Sequence, residues 1–391
     1  MTRILHLLSA YPDPIAPETR ASSNLLEILP EMTHHVYSFN RAGWRPGQQG
    51  QRNVVTFDDA AGEGHQAIAY AAPPYGIGLK KHLDILADWI GADLDQRGIR
   101  PDVIHAHKLS MDGLVGSRLA ARLDVPLMIS LQANSDVKIL RAKRNLRPYF
   151  LDIWRQAAVV FPFAPVAETM IADILGPRPG PVVMLPCPTG ADAMTPPQIR
   201  AAGAAPVIRT AFHIAHYGNK NVKTLIQAIQ AAAATVPDIR LEIIGGGDAR
   251  AFLAVARMAD ELAPGRVTLL GAVPHARVQA LFNQATGFAL LSQRESYGMV
   301  YAEALLAGTP CLYSAGRAID GYFEPGGVVL SADPGDLAAI TDALVRLCQE
   351  EAAFKGRLAE MMAAGGLDIL RRDTIAETYR GAVKTAMAEV K

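Results

Sequence analysis

Two glutamates bracket the run Glu295-Ser-Tyr-Gly-Met-Val-Tyr-Ala-Glu303, which follows a short apolar stretch at residues 287–291. The run reads as the opening of a helix that continues to Ala307 and is stopped by Gly308 and Pro310. A helix start leaves unpaired N–H groups and the positive end of a dipole, so the amides of Tyr297, Gly298, Met299 and Val300 suit a diphosphate. Gly298 lets an anion come close to the backbone. Helical geometry returns Glu303 to the face of Ser296, roughly 10 Å further along, about the reach from a phosphate to the far edge of a ribose. Glu295 falls ahead of the helix, on the other side of the anion. Such a pair suits the two hydroxyl-rich ends of a nucleotide-sugar, and the same spacing also fits a solvated surface helix with Glu in its first turn.

Residues of this kind must be held by a scaffold, and the chain of 391 residues is long enough for two domains. Half of the residues are hydrophobic and 19% are charged, a core-rich composition far from that of a disordered chain. Lys plus Arg balances Asp plus Glu at 38 each, so no global field attracts nucleic acid or an anionic bilayer. Three scattered cysteines, Cys187, Cys311 and Cys348, make neither a disulfide framework nor a zinc site and suit a reducing compartment. The apolar start at residues 4–8 is cut short by Pro12 and Pro14, unlike a leader peptide, and no window is apolar enough to span a membrane. The expected location is cytoplasmic, with peripheral contact at the inner membrane as an option.

Short apolar runs alternate with helical patterns along the chain, as parallel strands with crossover helices do. In the first half, strands are expected at residues 4–9, 35–39, 54–57, 103–105, 126–131, 159–162 and 182–185, with helices at 20–29, 79–96 and 111–123. A cluster of prolines at residues 186–206 reads as a linker. Strands resume at 208–215, 241–244, 267–269, 287–291 and 310–313, with helices at 220–234 and 249–262, and the pattern is helical beyond Asp336. The expected fold is α/β, with two Rossmann-like domains, residues 1–185 and 207–372, whose strand ends face across a cleft. Residues 373–391 form a terminal helix suited to pack back on the first domain.

The run Glu295-Ser-Tyr-Gly-Met-Val-Tyr-Ala-Glu-Ala-Leu-Leu-Ala-Gly-Thr-Pro-Cys resembles the Glu-x7-Glu signature of the retaining GT-B glycosyltransferases, in particular glycosyltransferase family 4. Other segments are similar in the same order: Lys220 with Asn221-Val-Lys-Thr-Leu-Ile, Ile243-Ile-Gly-Gly-Gly-Asp, Leu270-Gly-Ala-Val-Pro and Pro101-Asp-Val-Ile-His-Ala-His. The resemblance implies the GT-B fold and transfer of a sugar from a nucleoside-diphosphate-sugar to an acceptor hydroxyl, in bacterial polysaccharide or glycoconjugate synthesis. By it Glu303 would bind the donor ribose, Glu295 the transferred sugar, and Lys220 with the amides of Gly298, Met299 and Val300 the diphosphate. Gly245 and Val273 would lie at the strand end and turn beside the nucleotide, with Ser296 and Tyr297 lining the donor.

The chain departs from that pattern in three places. His216 stands near the family's diphosphate-binding arginine, the first loop reads Ile15-Ala-Pro-Glu-Thr-Arg20 rather than Gly-Gly-rich, and Gln132 replaces a reaction-centre histidine. Arg20 remains as a phosphate contact from that loop, and Gln132 can act through its backbone carbonyl.

Further residues carry weaker signals. His105 and His107 alternate at a strand end; both suit a structural role, and His107, where strand gives way to loop, is the acceptor-side candidate. No third ligand at useful spacing points to a metal. Asp93-Leu-Asp95 matches a metal-binding D-x-D but falls in a helical stretch, and Gly245-Gly-Gly-Asp reads as a helix cap. Lys138, Arg141, Lys143, Arg144 and Arg147 interleave with apolar residues, as either a solvated helix face or an element that docks on anionic headgroups.

The expectation is retaining, metal-independent hexosyl transfer, with no cofactor beyond the nucleotide-sugar substrate. The acceptor would be a glycan, a lipid-linked sugar or a small molecule. Lys220, Glu295, Gln132 and His107 would line the reaction centre. A nucleotide-sugar epimerase, a phosphorylase or a degenerate binding subunit on the same scaffold is the alternative.

Overall fold

The computed structural model describes residues 1–16, 20–45, 47–190 and 192–388. The chain forms two compact units, Met1–Pro188 with the stretch from Arg372 onward, and Thr189–Arg371.

In the first unit the elements run β1 (Arg3–Leu8), α1 (Ala21–Glu27), β2 (Thr33–Ala42), β3 (Arg52–Asp59), β4 (Gly62–Ala71), α2 (Leu79–Gln96), β5 (Val103–Ala106), α3 (Met111–Leu123), β6 (Leu127–Leu131), α4 (Ala133–Ala142), α5 (Arg147–Gln156), β7 (Val159–Pro162) and α6 (Pro165–Leu175). Seven strands pair in the order β3-β4-β2-β1-β5-β6-β7, parallel except for the β3–β4 hairpin at the edge. The central strands are covered on both faces, which is why Ile4, Leu5, Leu7 and Leu8 of β1 are all fully buried.

The second unit continues with β8 (Val207–Ala211), α7 (Val222–Ala232), β9 (Arg240–Ile244), α8 (Ala249–Leu262), β10 (Val267–Gly271), α9 (His275–Asn283), β11 (Gly287–Leu290), α10 (Met299–Leu306), β12 (Cys311–Ser314), β13 (Val329–Ala332), α11 (Leu337–Gln349) and α12 (Glu351–Ala363). Six strands pair in the order β10-β9-β8-β11-β12-β13, all in parallel. The last helix, α13 (Arg372–Ala388), returns to the first unit, where Tyr379 stacks on Phe161 and bonds His105.

Several expectations are corrected. Residues 182–185 are not a strand: Val182 makes one isolated bridge to Val160, and Pro181 and Pro186, which lack N–H groups, bound a stretch too short for a ladder. Strands β4 and β13 were not expected; Gly62 and Gly64 disguise the first as a loop. The supposed linker packs on the second unit: Asn283 donates to the Pro196 carbonyl (2.9 Å) and Thr195 N to the Leu306 carbonyl (2.8 Å). Arg200 pairs with Glu351 at 2.6 Å. Gly308, at φ +79°, exists for this contact, because a Cβ there would lie 2.6 Å from the Thr195 carbonyl oxygen. Among the described residues no helix is long and apolar enough to cross a membrane, and all three cysteines are buried.

A buried charge anchors that segment. Lys355, at 1% exposure, bonds Glu351 (2.8 Å), the Ala285 carbonyl (2.7 Å) and the Gln198 carbonyl. Removing one member of a buried, hydrogen-bonded pair strands the other. Lys355→Met is expected to lower unfolding free energy by about 3 kcal/mol, the low end of that class because Glu351 keeps Arg200. Urea denaturation followed by circular dichroism checks it, and a loss below about 1 kcal/mol contradicts it.

Candidate active site

Each sheet is wound outward in both directions from a central strand, and the crevice opens where the winding reverses. In the second unit that reversal lies between β8 and β11, so the loops that follow these two strands are neighbours. They are stitched together: Gln293 N donates to the Asn219 carbonyl at 2.7 Å, and Asn219 Nδ2 to the Arg294 carbonyl at 3.0 Å. That stitching sets Lys220 Nζ 2.5 Å from Glu295 Oε2, with both side chains largely buried. Ser292 Oγ donates to the same carboxylate oxygen at 3.3 Å.

Lys220 is followed by Asn221, at φ +55°, which serves as the left-handed N-cap of α7. Asparagine tolerates that conformation better than most side chains, and its amide donates to the Pro334 carbonyl at 2.7 Å. This cap turns the chain so that Lys220 faces Glu295 while α7 buries Leu225, Ile226 and Ile229.

Glu295 is joined to α10 through Gly298, at φ +76°; a Cβ there would come 2.6 Å from the Tyr301 ring and 3.2 Å from Glu295 Cγ. Helix α10 therefore begins only at Met299. Ser296 lies outside it, and the helical-face relation expected between Ser296 and Glu303 does not exist. Glu303 lies instead one turn from Met299, about 6 Å along the axis. Among the described residues the amides of Gly298, Met299 and Val300 enter no turn or capping bond, so they remain available at the positive end of the helix. Tyr297 is buried and packs edge-on against Tyr322.

Glu303 borders a cavity of about 50 Å³ with His275, Ala276, Val278 and Gln279. The side chain is half-buried, and among the described residues no hydrogen bond or ion pair engages its carboxylate. Burial raises its carboxyl above the ordinary value, and nearby His275 pulls the other way. His275 and Gln279 were not singled out in the sequence, although His275 directly follows the Leu270-Gly-Ala-Val-Pro turn. Val273 in that turn is half-buried.

The glycines of Gly245-Gly-Gly serve packing first: a Cβ on Gly245 would lie against the Phe212 carbonyl oxygen, closer than any atom can approach. Asp248 caps α8 by accepting from the amides of Arg250 and Ala251, both at 3.1 Å. His216 is exposed after β8, and His213, which sequence reasoning missed, lies beside it with ring centroids 5.4 Å apart. His213 also rests against Gly247, so the two rings line the edge of the crevice.

In the first unit Gln132 caps β6, its side-chain amide donating to the His107 carbonyl at 3.1 Å and its backbone N–H to Asp136 at 2.9 Å. His107 does not open to solvent as expected. It is 2% exposed, and its Nε2 lies 3.0 Å from His6 Nδ1 while its Nδ1 lies 3.5 Å from Ser22 Oγ. His6 Nε2 in turn lies 3.0 Å from His34 Nδ1, and His34 Nε2 lies 3.1 Å from the Leu29 carbonyl. Burial, reinforced by neighbouring imidazoles, holds His6 and His107 well below the usual histidine value. A third histidine, His6, thus joins His105 and His107, contrary to the sequence expectation. The set is poorly disposed for a metal: His105 bonds Tyr379 (3.0 Å) and Ser130 (2.9 Å) through its two nitrogens, and its ring stacks on His107 at 3.9 Å rather than converging with it.

Arg20 also departs from expectation, pairing with Glu27 at 2.8 Å along its own helix. Pro17, Glu18 and Thr19 of the same loop lie outside the described residues. Asp93 and Asp95 sit in α2 and are engaged by Tyr37 and by Arg122 rather than forming a metal pair.

The half-buried carboxylate of Glu303 has a consequence for stability. A carboxyl whose folded value is raised contributes stability fully below its unfolded value and loses that contribution as pH climbs through the raised one. Glu303→Gln removes the loss. In thermal melts from about pH 4 to pH 8, the ligand-free variant is expected to match the parent at the acid end and to exceed it increasingly toward neutrality. A parent at least as stable as the variant at neutral pH contradicts this.

Comparison with known proteins agrees with this arrangement of two α/β units. A family model described as Glycosyl transferase 4-like domain matches residues 19–188, and one described as Glycosyl transferases group 1 matches residues 208–350. The chain is 28% identical over 281 residues to D-inositol 3-phosphate glycosyltransferase of Mycobacterium tuberculosis, covering 67% of this chain. The alignment spans 57% of that relative's length. Sucrose-phosphate synthase from Thermosynechococcus elongatus superposes with a TM-score of 0.71 at 20% identity, over 99% of this chain and 100% of that one. Anabaena HepE in complex with UDP superposes with a TM-score of 0.70 at 14% identity, over 98% and 100%. With two such units, a parallel sheet in each and the Glu295–Glu303 run at the crevice of the second, the chain belongs to the GT-B glycosyltransferases and resembles family 4.

Proposed function

We propose that the chain transfers a sugar from a nucleoside-diphosphate-sugar to an acceptor hydroxyl, with retention at the anomeric carbon and without a divalent metal. The observation that carries this reading is the set at the β8–β11 crevice: the Lys220–Glu295 pair at 2.5 Å, free amides at the head of α10, and the unpartnered carboxylate of Glu303 one turn on. A diphosphate placed over the α10 amides has Glu303 on one side for the ribose and Glu295 on the other for the transferred sugar. Lys220 then meets the diphosphate, and as the bond to the sugar breaks it stabilises the charge that grows on the leaving phosphate. His216 and His213, on the loop after β8, are the candidates for a further phosphate contact. The curated relative is named for glycosyl transfer, and HepE was solved with UDP, which supports a uridine nucleotide as the first donor to try.

In the structure Lys220 and Glu295 satisfy each other. Donor binding divides them, the ammonium turning to phosphate and the carboxylate to sugar hydroxyls, so neither group is left without a partner. No enzymic nucleophile is placed at the sugar; the departing phosphate serves as the base for the incoming hydroxyl on the same face. We assign the acceptor to a glycan, a lipid-linked sugar or a small hydroxyl compound, within polysaccharide or glycoconjugate synthesis.

A melt of the full chain with UDP, GDP and their sugar conjugates tests the donor site. At ligand near 100 times Kd, stabilisation of about 2.7 kcal/mol is expected for the cognate nucleotide. Glu303→Ala should abolish it, and a response unchanged in the variant contradicts the assignment. Once the donor is known, Lys220→Met should lower kcat by about 10² to 10³. Lys220→Arg should recover part of that loss, and turnover indifferent to both changes excludes Lys220 from leaving-group stabilisation.

A further inference from the structure

The first unit carries a projecting apolar tip that the donor chemistry does not use. In the turn Pro74–Gly76 and the residue after it, Tyr75 is 92% exposed and Ile77 63% exposed, among the most exposed large apolar side chains of the described residues. Isolated exposed apolar residues are ordinary, but this pair is held outward by a costly backbone. Tyr75 sits at φ +57°, followed by Gly76 at +64° and Gly78 at +63°, a left-handed conformation that disfavours an aromatic side chain. Lys143 pins the turn, donating from Nζ to the Tyr75 carbonyl at 2.7 Å.

Cations flank Lys143 in sequence, and Lys81 lines the groove beside the tip. Lys81 begins α2 nearby, and Lys138, Arg141, Arg144 and Arg147 come from α4, α5 and the turn between them; all five are exposed. None of them pairs with a carboxylate among the described residues, whereas Lys80 is spent on Asp84 and lies over the Tyr149 ring at 4.8 Å. A shallow groove of about 270 Å³, walled by Ile77, Gly78, Lys81, Lys143 and Asn145, joins the tip to the basic turn. The chain as a whole carries no net charge, so these unpaired cations are a local excess.

We propose that this face docks on a bilayer containing anionic lipids. Tyr75 and Ile77 enter the headgroup and upper acyl region, and Lys81, Lys138, Arg141, Arg144 and Arg147 meet lipid phosphates. Both ingredients are required for the assignment. A soluble polyanion would satisfy the cations but give the projecting tyrosine and isoleucine nothing to leave water for. A bilayer satisfies both at once, and an aromatic ring with a polar tip suits the depth where headgroups meet hydrocarbon. The proposal stands apart from the donor site, because every residue in it belongs to the first unit.

Co-sedimentation of the full chain with vesicles tests it. Binding is expected to vesicles with about one lipid in three replaced by phosphatidylglycerol and to be weak on pure phosphatidylcholine. Arg141→Gln and Arg144→Gln should each lower the partition coefficient about fivefold, the effect of one charge near such a surface. Tyr75→Gly with Ile77→Ser should lower it about tenfold. Glycine relieves the strain at position 75, so this double variant should melt no lower than the parent and should keep the parent's thermal response to nucleotides, which separates loss of docking from loss of fold or of donor binding. Equal binding of parent and double variant, or equal binding to charged and uncharged vesicles, overturns the proposal. Dextran sulfate bound as tightly as charged vesicles, with no effect of the changes at Tyr75 and Ile77, would assign the face to a soluble polyanion instead.

Discussion

Parallel pairing is the constraint from which the rest of this molecule descends. A strand can lie parallel to its predecessor only if a crossover carries the chain back, and right-handed crossovers send every strand's carboxyl end, and the helix start that follows it, to one edge of the sheet. Winding outward from β8 in both directions then leaves one gap along that edge. The loops flanking it hold Lys220 on one side and Glu295 on the other, 75 residues apart in sequence but bonded at 2.5 Å. Nothing in the local sequence around either residue calls for the other. Topology alone makes them partners.

Much of this was legible in the chain because parallel strands are buried on both faces and read as unbroken apolar runs. The helices at 79–96, 111–123 and 249–262 matched α2, α3 and α8 to the residue, since a long amphipathic period leaves little freedom in placement. What escaped was structure made by partners rather than by pattern. β4 interleaves His65 and Gln66 with glycines and becomes a strand because β2 and β3 flank it. Residues 186–206 read as a linker from their prolines, yet the Pro196 carbonyl, which proline keeps, accepts from Asn283, and the Gln198 carbonyl accepts from Lys355. The misplaced start of α10 has a similar origin: the motif identifies Gly298 as close to an anion, but only the coordinates reveal that its left-handed turn severs Ser296 from the helix.

Several residues that look like ligand contacts in sequence prove to serve two purposes. Gly245 is needed where β9 passes beneath the Phe212 carbonyl, and Gly298 where Tyr301 crosses below the turn, whether or not an anion ever approaches either. Glu303 shows the reverse. Its carboxylate is half-buried without a partner, and that burial holds its carboxyl above the ordinary value, a cost in the folded protein at neutral pH. Residues of the first kind are positioned by the scaffold, and a residue of the second kind reveals what the scaffold is for.

The row of imidazoles in the first unit has a property that distances alone do not express: it has a direction. The Leu29 carbonyl can only accept, so His34 must carry its proton on Nε2. With the rings neutral, His34 Nδ1 is then bare and accepts from His6 Nε2, and His6 Nδ1 accepts from His107 Nε2. His107 Nδ1 is left to receive the Ser22 hydroxyl proton. One backbone oxygen at the end of α1 thereby dictates the tautomer of three side chains, and none can turn over unless all do. The three rings behave as a single polar rod through an apolar core, whose orientation is settled at one end and felt at the other.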